Sequence, residues 1–165
     1  MLVLVYVVNK KLLKGDATGF RMIKKLPYKE FKEIYSKVPL LCVDLLIENS
    51  EGFLLTKRAI DPWKGLWHFP GGTVLFGETL NECARRVAKK ELGIEIEPKG
   101  FVDVLEYSIK ETEEPSRQAI SLVFHATLKS GKIVLDEQSE EYGFFRKELP
   151  EGVISTVKEF FKEKL

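Results

Sequence analysis

The residues able to do chemistry crowd into one stretch of the chain. Gly71 and Gly72 end a loop rich in glycine, proline and tryptophan. Glu78 follows, and Arg86 and Glu91 lie on the helical stretch that Gly93 closes. A glycine-rich loop running into a helix lets backbone groups come close to a pyrophosphate. Positions 87, 90 and 91 fall at i, i+3, i+4, so their side chains share one helix face. They are Val87, Lys90 and Glu91, which leaves a single carboxylate there. Arg58 and Arg86 are candidates for phosphate, because a guanidinium binds it through a two-pronged fork and stays charged at any working pH. Arg86 reads equally as the structural partner of Glu78 or Glu91. Asp44 is the one acid inside the apolar run that starts at Leu40, either a functional carboxylate or a buried, hydrogen-bonded one. Trp63 and Trp67 stand in the loop either to stack on a base or sugar or to anchor it. His68 and His125 read as loop and strand residues with satisfied ring nitrogens.

The elements that must position these groups form a mixed α/β pattern in which strands outnumber helices. Residues 2–8 and 19–25 read as two strands around a turn at 15–19. Pro27 opens a short helix, 28–36, with Phe31, Ile34 and Tyr35 at helical spacing. The run 40–48 predicts a central strand, 49–52 a turn and 53–58 a returning strand. Residues 61–77 read as a long loop. Leu80, Cys83, Ala84, Val87, Ala88 and Leu92 have the period of a helix that Gly93 caps. Strands are expected at about 101–109, 118–129 and 142–145, with a short apolar segment at 133–135. Pro150 is expected to open a last amphipathic helix carrying Val153, Val157, Phe160, Phe161 and Leu165.

With 165 residues the chain has the size of one domain, and a 44% hydrophobic composition suffices for a packed core, which excludes intrinsic disorder. Lys+Arg 26 against Asp+Glu 25 nets +1, so no bulk field recruits nucleic acid and an anionic ligand must be held locally. No apolar run approaches the roughly 20 residues that span a bilayer. Residues 2–8 lack the basic flank and cleavage site of a signal peptide. Cys42 and Cys83 are not in CxxC spacing and read as reduced thiols, so the cytoplasm is the expected compartment.

Gly72, Glu78, Arg86, Glu91, Gly93 and Ile94 fall in register with the Nudix box, G-x5-E-x7-R-E-U-x-E-E-x-G-U, where U is aliphatic, and Ala88 takes the first U. The chain therefore resembles the Nudix family, as does the preceding Trp67-His68-Phe69-Pro70-Gly71-Gly72. The resemblance implies an α/β fold, an α/β/α sandwich with a mixed central sheet. It also implies Mg²⁺-dependent hydrolysis of a nucleoside diphosphate linked to a second group. Residues 1–165 are expected to be one Nudix domain, with 1–21 a strand extension and 22–165 the core.

Val87 and Lys90 replace two box glutamates, a depletion shared with the GDP-mannose mannosyl hydrolase branch of the family. Residues 40–50, 53–58, 65–67 and 136–142 look like that branch too. By this resemblance Mg²⁺ is held by the Gly71 carbonyl, Glu91 and Gln138, which suits an ion that often takes only one or two carboxylates plus substrate phosphate. The same resemblance assigns Asp44 and Arg58 to the departing GDP and Arg86 to the diphosphate, while Trp67 is a substrate-binding candidate by its ring alone. That branch places a histidine after the metal-binding Gln. Here Ser139 stands there, and a serine is no useful base at neutral pH, so Glu140 or Glu141 is the replacement to consider. Thr73 stands where the branch has an arginine. The expectation is a homodimeric hydrolase of a nucleotide sugar such as GDP-mannose. The alternatives are pyrophosphohydrolase action on a nucleotide or ADP-ribose, and a non-catalytic nucleotide-binding module.

Overall fold

The computed structural model describes residues 26–107 and 118–164. The strands expected at 2–8 and 19–25 lie outside the described residues, as does the extension 1–21. The first described element is α1 (Tyr28–Tyr35), then β1 (Leu40–Glu48), β2 (Phe53–Arg58), β3 (Trp67–His68), β4 (Gly71–Thr73), α2 (Leu80–Leu92), β5 (Glu95–Tyr107), β6 (Ala119–Ser130), β7 (Ser139–Phe145) and α3 (Ser155–Lys164).

Strand alternation explains the layering, since successive side chains point to opposite faces. Val43, Leu45 and Ile47 of β1 join Leu54 of β2 and the buried face of α2 in one core. Leu46 of β1 joins Phe53, Leu55, Phe69 and the Val157, Phe160 and Phe161 face of α3 in the other. The sheet is thus packed by helices on both sides, and it is mixed. β1 runs parallel to β6, whereas the pairings of β1 with β2 and of β6 with β5 are antiparallel, along the order β3-β2-β1-β6-β5.

One departure from regular pairing opens the site. β1 and β2 are paired only at Glu48 and Phe53, beside their turn. Farther along, β1 takes β4 as its partner, with Asp44 opposite Gly71. β2 instead pairs with β7 and with β3, which sets Arg58 opposite Ser139 and Thr56 opposite His68. Strands that share a hairpin and then take different partners leave a cleft between them.

Several boundaries differ from the sequence reading. The loop 61–77 contains two short strands, β3 and β4, too brief to show a period. β5 begins at Glu95 and β7 at Ser139, both earlier than expected, and residues 133–135 form no strand. The last helix starts at Ser155, not at Pro150. Val153 forms a bridge to Trp67 instead of a helical turn, because the chain first adds a rung beside β3.

Candidate functional site

α2 is specified by its ends as much as by its apolar stripe. Thr79 accepts from the Glu82 N–H, and the Glu82 carboxylate accepts from the Thr79 N–H at 2.8 Å, a reciprocal capping box. At the other end Gly93 takes φ 68°, the left-handed turn that glycine adopts without strain. Between them, Cys83, Ala84, Val87, Ala88 and Leu92 are buried. Val87 therefore faces the core and not a ligand, and a Cβ on Gly72 would lie 3.0 Å from its methyl group.

Glu91 is the carboxylate this helix aims at the loop. Its Oε2 accepts the Gly71 N–H at 3.2 Å, tying helix to loop. Burial pushes its pKa up to about 7; Asp136 and Asp44 add to the rise, while Lys90 and the Gly71 N–H oppose it. Gln138 reaches the same region through Asp136. The Asp136 N–H donates to the Glu91 carbonyl at 3.1 Å, and the Asp136 carboxylate pairs with Lys90 at 3.3 Å. Asp136 also accepts the Gln138 side-chain N–H at 2.9 Å. The Gln138 amide oxygen is thus the atom it can offer a cation.

Asp44 is buried on the cleft floor. The Tyr107 hydroxyl donates to its Oδ2 at 2.7 Å, and its Oδ1 occupies the place a Cβ on Gly71 would need. Burial raises its pKa to about 6 against the opposing Tyr107 bond and the charge of Arg58. Arg58 donates through Nε to the Pro62 carbonyl at 2.5 Å. His68 lies 3.4 Å from the Thr56 hydroxyl, and burial together with the charge of Arg58 pulls its pKa down to about 3, so it is a neutral imidazole.

These groups line a single cleft of about 810 Å³, to which Asp44, Arg58, His68, Gly71, Arg86, Lys90, Glu91 and Gln138 all contribute. Its apolar lining includes Phe31, Ile34 and Tyr35 of α1, a helix with no buried residue, together with Trp63 and Phe76. Sequence reasoning read Phe31, Ile34 and Tyr35 only as helical spacing and gave no role to Tyr107, whose only signal was its place on a long strand.

Four expected site residues are placed elsewhere or otherwise engaged. Trp67 is 6% exposed and packs edge-on against Phe145 at 5.2 Å between centroids, so it is a core residue. Glu140 and Glu141 are exposed on β7 and pair with Lys57 at 3.3 and 3.7 Å, away from the cleft lining. Their strand position opposite β2 turns them to that lysine. Arg86 lines the cleft but is engaged by Glu78, whose side chain is 1% exposed, through Nε at 2.9 Å and Nη2, and by the Thr73 carbonyl at 2.9 Å. Burial alone would raise the Glu78 pKa, yet the Arg86 and Leu75 hydrogen bonds bring it below its ordinary value.

The donor set suits a hard divalent cation. Glu91, Gln138 and Gly71, which carry carboxylate, amide and backbone oxygens, line the same cleft, and burial favours the protonated form of Glu91 where no cation neutralises it. Among the described residues no cluster of three or more His, Cys, Asp or Glu gathers, so most ligands would come from substrate and water.

Comparison with known proteins places this geometry. The NUDIX domain model matches residues 38–159. The chain is 33% identical over 124 residues to the low-salt glycan biosynthesis protein Agl8 of Haloferax volcanii, covering 73% of this chain and 80% of that protein. It is 34% identical over 133 residues to an ADP-ribose pyrophosphatase of Methanocaldococcus jannaschii, covering 81% and 76%. Among solved structures, a MutT NUDIX hydrolase from Burkholderia pseudomallei superposes with a TM-score of 0.69 at 24% identity, over 78% of this chain and 99% of that one. A MutT protein from Methanosarcina mazei gives 0.65 at 26% identity, over 75% and 91%.

Proposed function

The chain belongs to the Nudix family of hydrolases, and from that premise we propose that its substrate is a nucleoside diphosphate carrying a sugar, with GDP-mannose the first example to test. The observation that carries this reading is the Glu91 carboxylate held against Gly71 in a cleft shared with Asp44, Arg58 and Gln138. The names of the two relatives accord with it, one a glycan biosynthesis protein and the other an ADP-ribose pyrophosphatase.

Glu91, Gln138 and the Gly71 carbonyl would hold one Mg²⁺, which when bound supplies charge neutralisation for the diphosphate. Arg58 sits where it can pair with a phosphoryl oxygen, and Arg86 braces the loop against α2 through Glu78. Asp44, with its pKa near 6, is suited to accept a proton from water close to neutral pH. Glu140 and Glu141 have no place in this scheme. The working unit is a homodimer acting in the cytoplasm, in keeping with two free cysteines; sedimentation at micromolar concentration tests the dimer. Among the described residues no helix is long and apolar enough to cross a membrane.

Incubation with a panel of nucleotide sugars and ADP-ribose, with Mg²⁺ in ¹⁸O-labelled water, tests the reading. Label in the released sugar marks cleavage at carbon. Label in phosphate marks the second reading, pyrophosphohydrolase action, which the Methanocaldococcus relative favours. Binding of the panel without turnover would instead support a non-catalytic module and overturn both.

A further inference from the structure

Resting on the reading of the substrate as a nucleoside diphosphate linked to a sugar, we propose that Trp63 is the platform for the sugar ring and so determines which attached group the site accepts. Trp63 lines the cleft, and its backbone has φ 64°. A bulky L-residue seldom takes the left-handed region, because its Cβ crowds the following carbonyl. Such a conformation persists only where the surroundings over-determine it. Tyr107 is one such surrounding: the two ring centroids are 5.4 Å apart, tilted at 48°. The same Tyr107 donates its hydroxyl to Asp44. On the other side in sequence, the Pro62 carbonyl accepts from Arg58. Trp63 is thereby tied through the preceding Pro62 to the cation proposed for the diphosphate, and through the Tyr107 ring to the residue that holds the buried acid Asp44.

That setting matches the chemistry of a sugar ring. A pyranose or furanose has a face of C–H bonds and a rim of hydroxyls. The indole face accommodates the first, while Asp44 and the neutral His68 offer hydrogen-bonding groups to the second. The α1 portion of the lining differs, because Phe31, Ile34 and Tyr35 bring apolar or aromatic surface and no charge. It suits a nucleobase, which stacks and has no hydroxyl rim. One cleft therefore has a ring platform for each end of the substrate.

The test compares Trp63→Gly and Trp63→Phe with the parent chain. Glycine adopts the positive φ without strain, so it deletes the ring while leaving the backbone its conformation. Calorimetric Kd values are measured for GDP-mannose, ADP-ribose and UDP-glucose and for GDP, ADP and UDP, alongside initial rates with Mg²⁺. The platform predicts that Trp63→Gly weakens the sugar-bearing ligands about tenfold and leaves the plain diphosphates within about twofold, with Trp63→Phe restoring most of the difference. Equal weakening of both sets, no weakening of either, or a parent chain that binds no nucleotide sugar more tightly than its diphosphate overturns it. If Trp63→Gly fails to fold, Trp63→Leu takes its place under the same criteria. A parent chain that binds in this pattern yet turns nothing over would sink the hydrolase reading while the platform stands.

Discussion

A Cβ on Gly71 would collide with the Asp44 Oδ1 and come within 3.0 Å of the Val43 carbonyl. The glycine is there for space, because β1 and β4 run side by side at this point and Asp44 turns in toward its neighbour's backbone. Gly71→Ala should therefore lower stability by about 1–3 kcal/mol, the usual range for overpacking, and displace the carboxylate. Thermal melting and initial rates would both register it, and an alanine variant with parental melting and rate would show that Asp44 does not need this site. Glu91 and Lys90 are neighbours with different tasks. Glu91→Gln should cut Mg²⁺-dependent turnover about 100-fold or more while the fold persists. Lys90→Ala should change turnover little, since Lys90 is exposed and paired with Asp136. Equal losses in the two variants would remove Glu91 from its assigned place.

At the scale of elements, α2 is the part on which the rest is hung. Its capping box fixes one end, Gly93 the other, and the Val134 and Asp136 N–H groups donate to the Leu92 and Glu91 carbonyls beyond its last turn. Those last bonds carry the 133–138 segment to the helix and so deliver Gln138 to the cleft. The loop before α2 is held by Glu78, which accepts from the Leu75 N–H at 2.7 Å and from Arg86. Arg86→Ala would leave the buried Glu78 carboxylate without its cation, a loss on the order of 3 kcal/mol. Glu78→Gln in the same chain should recover part of it, because the uncompensated charge is then gone. A double-mutant cycle by denaturant melting checks this, and simple additivity would mean that the pair does not brace the loop.

At the scale of the whole molecule, stability should respond to pH in a direction set by the cleft acids. Asp44 and Glu91 stand at about 6 and 7 in the fold, against ordinary values of 3.8 and 4.5. Between those limits the folded chain holds protons that the unfolded chain has released. Their contribution is thus fully present below about pH 4 and is lost as pH rises through about 7. A tenfold difference in proton affinity between folded and unfolded chain is worth about 1.4 kcal/mol, so the effect is large enough to see in a melting curve. The metal-free chain should melt higher near about pH 5 than near about pH 8, and Asp44→Asn and Glu91→Gln should each flatten that slope. Glu78 works in the opposite sense, at more acid pH, because its pKa is depressed. A slope unchanged by both substitutions would mean that neither acid is perturbed as described. Mg²⁺ with a bound diphosphate should narrow the difference, since a ligand that binds only the folded chain stabilises it.

What could be read from the chain was what short-range physics controls. The α2 period and its Thr79 and Gly93 ends rest on contacts within a turn or two. The strand 40–48 showed as a bounded apolar run, and the register of Gly72, Glu78, Arg86 and Glu91 was legible through its likeness to the Nudix box. They came through with boundaries nearly unchanged. The two tryptophans show where such reasoning stops. Trp63 and Trp67 lie four positions apart in one loop, yet Trp67 is locked into the core by pairing with Lys57 and bridging to Val153, whereas Trp63 turns into the cleft. No local pattern separates them, because the partners that decide it come from β2 and from the segment before α3. Glu140 and Glu141 were likewise plausible by position alone until the β2–β7 register turned them to Lys57. By itself the sequence determined the family likeness, the helix and the single carboxylate on its 87, 90, 91 face. Only the tertiary structure decided which side chains share the cleft, since β1 and β2 take separate partners beyond their turn and that choice rests on contacts far apart in the chain.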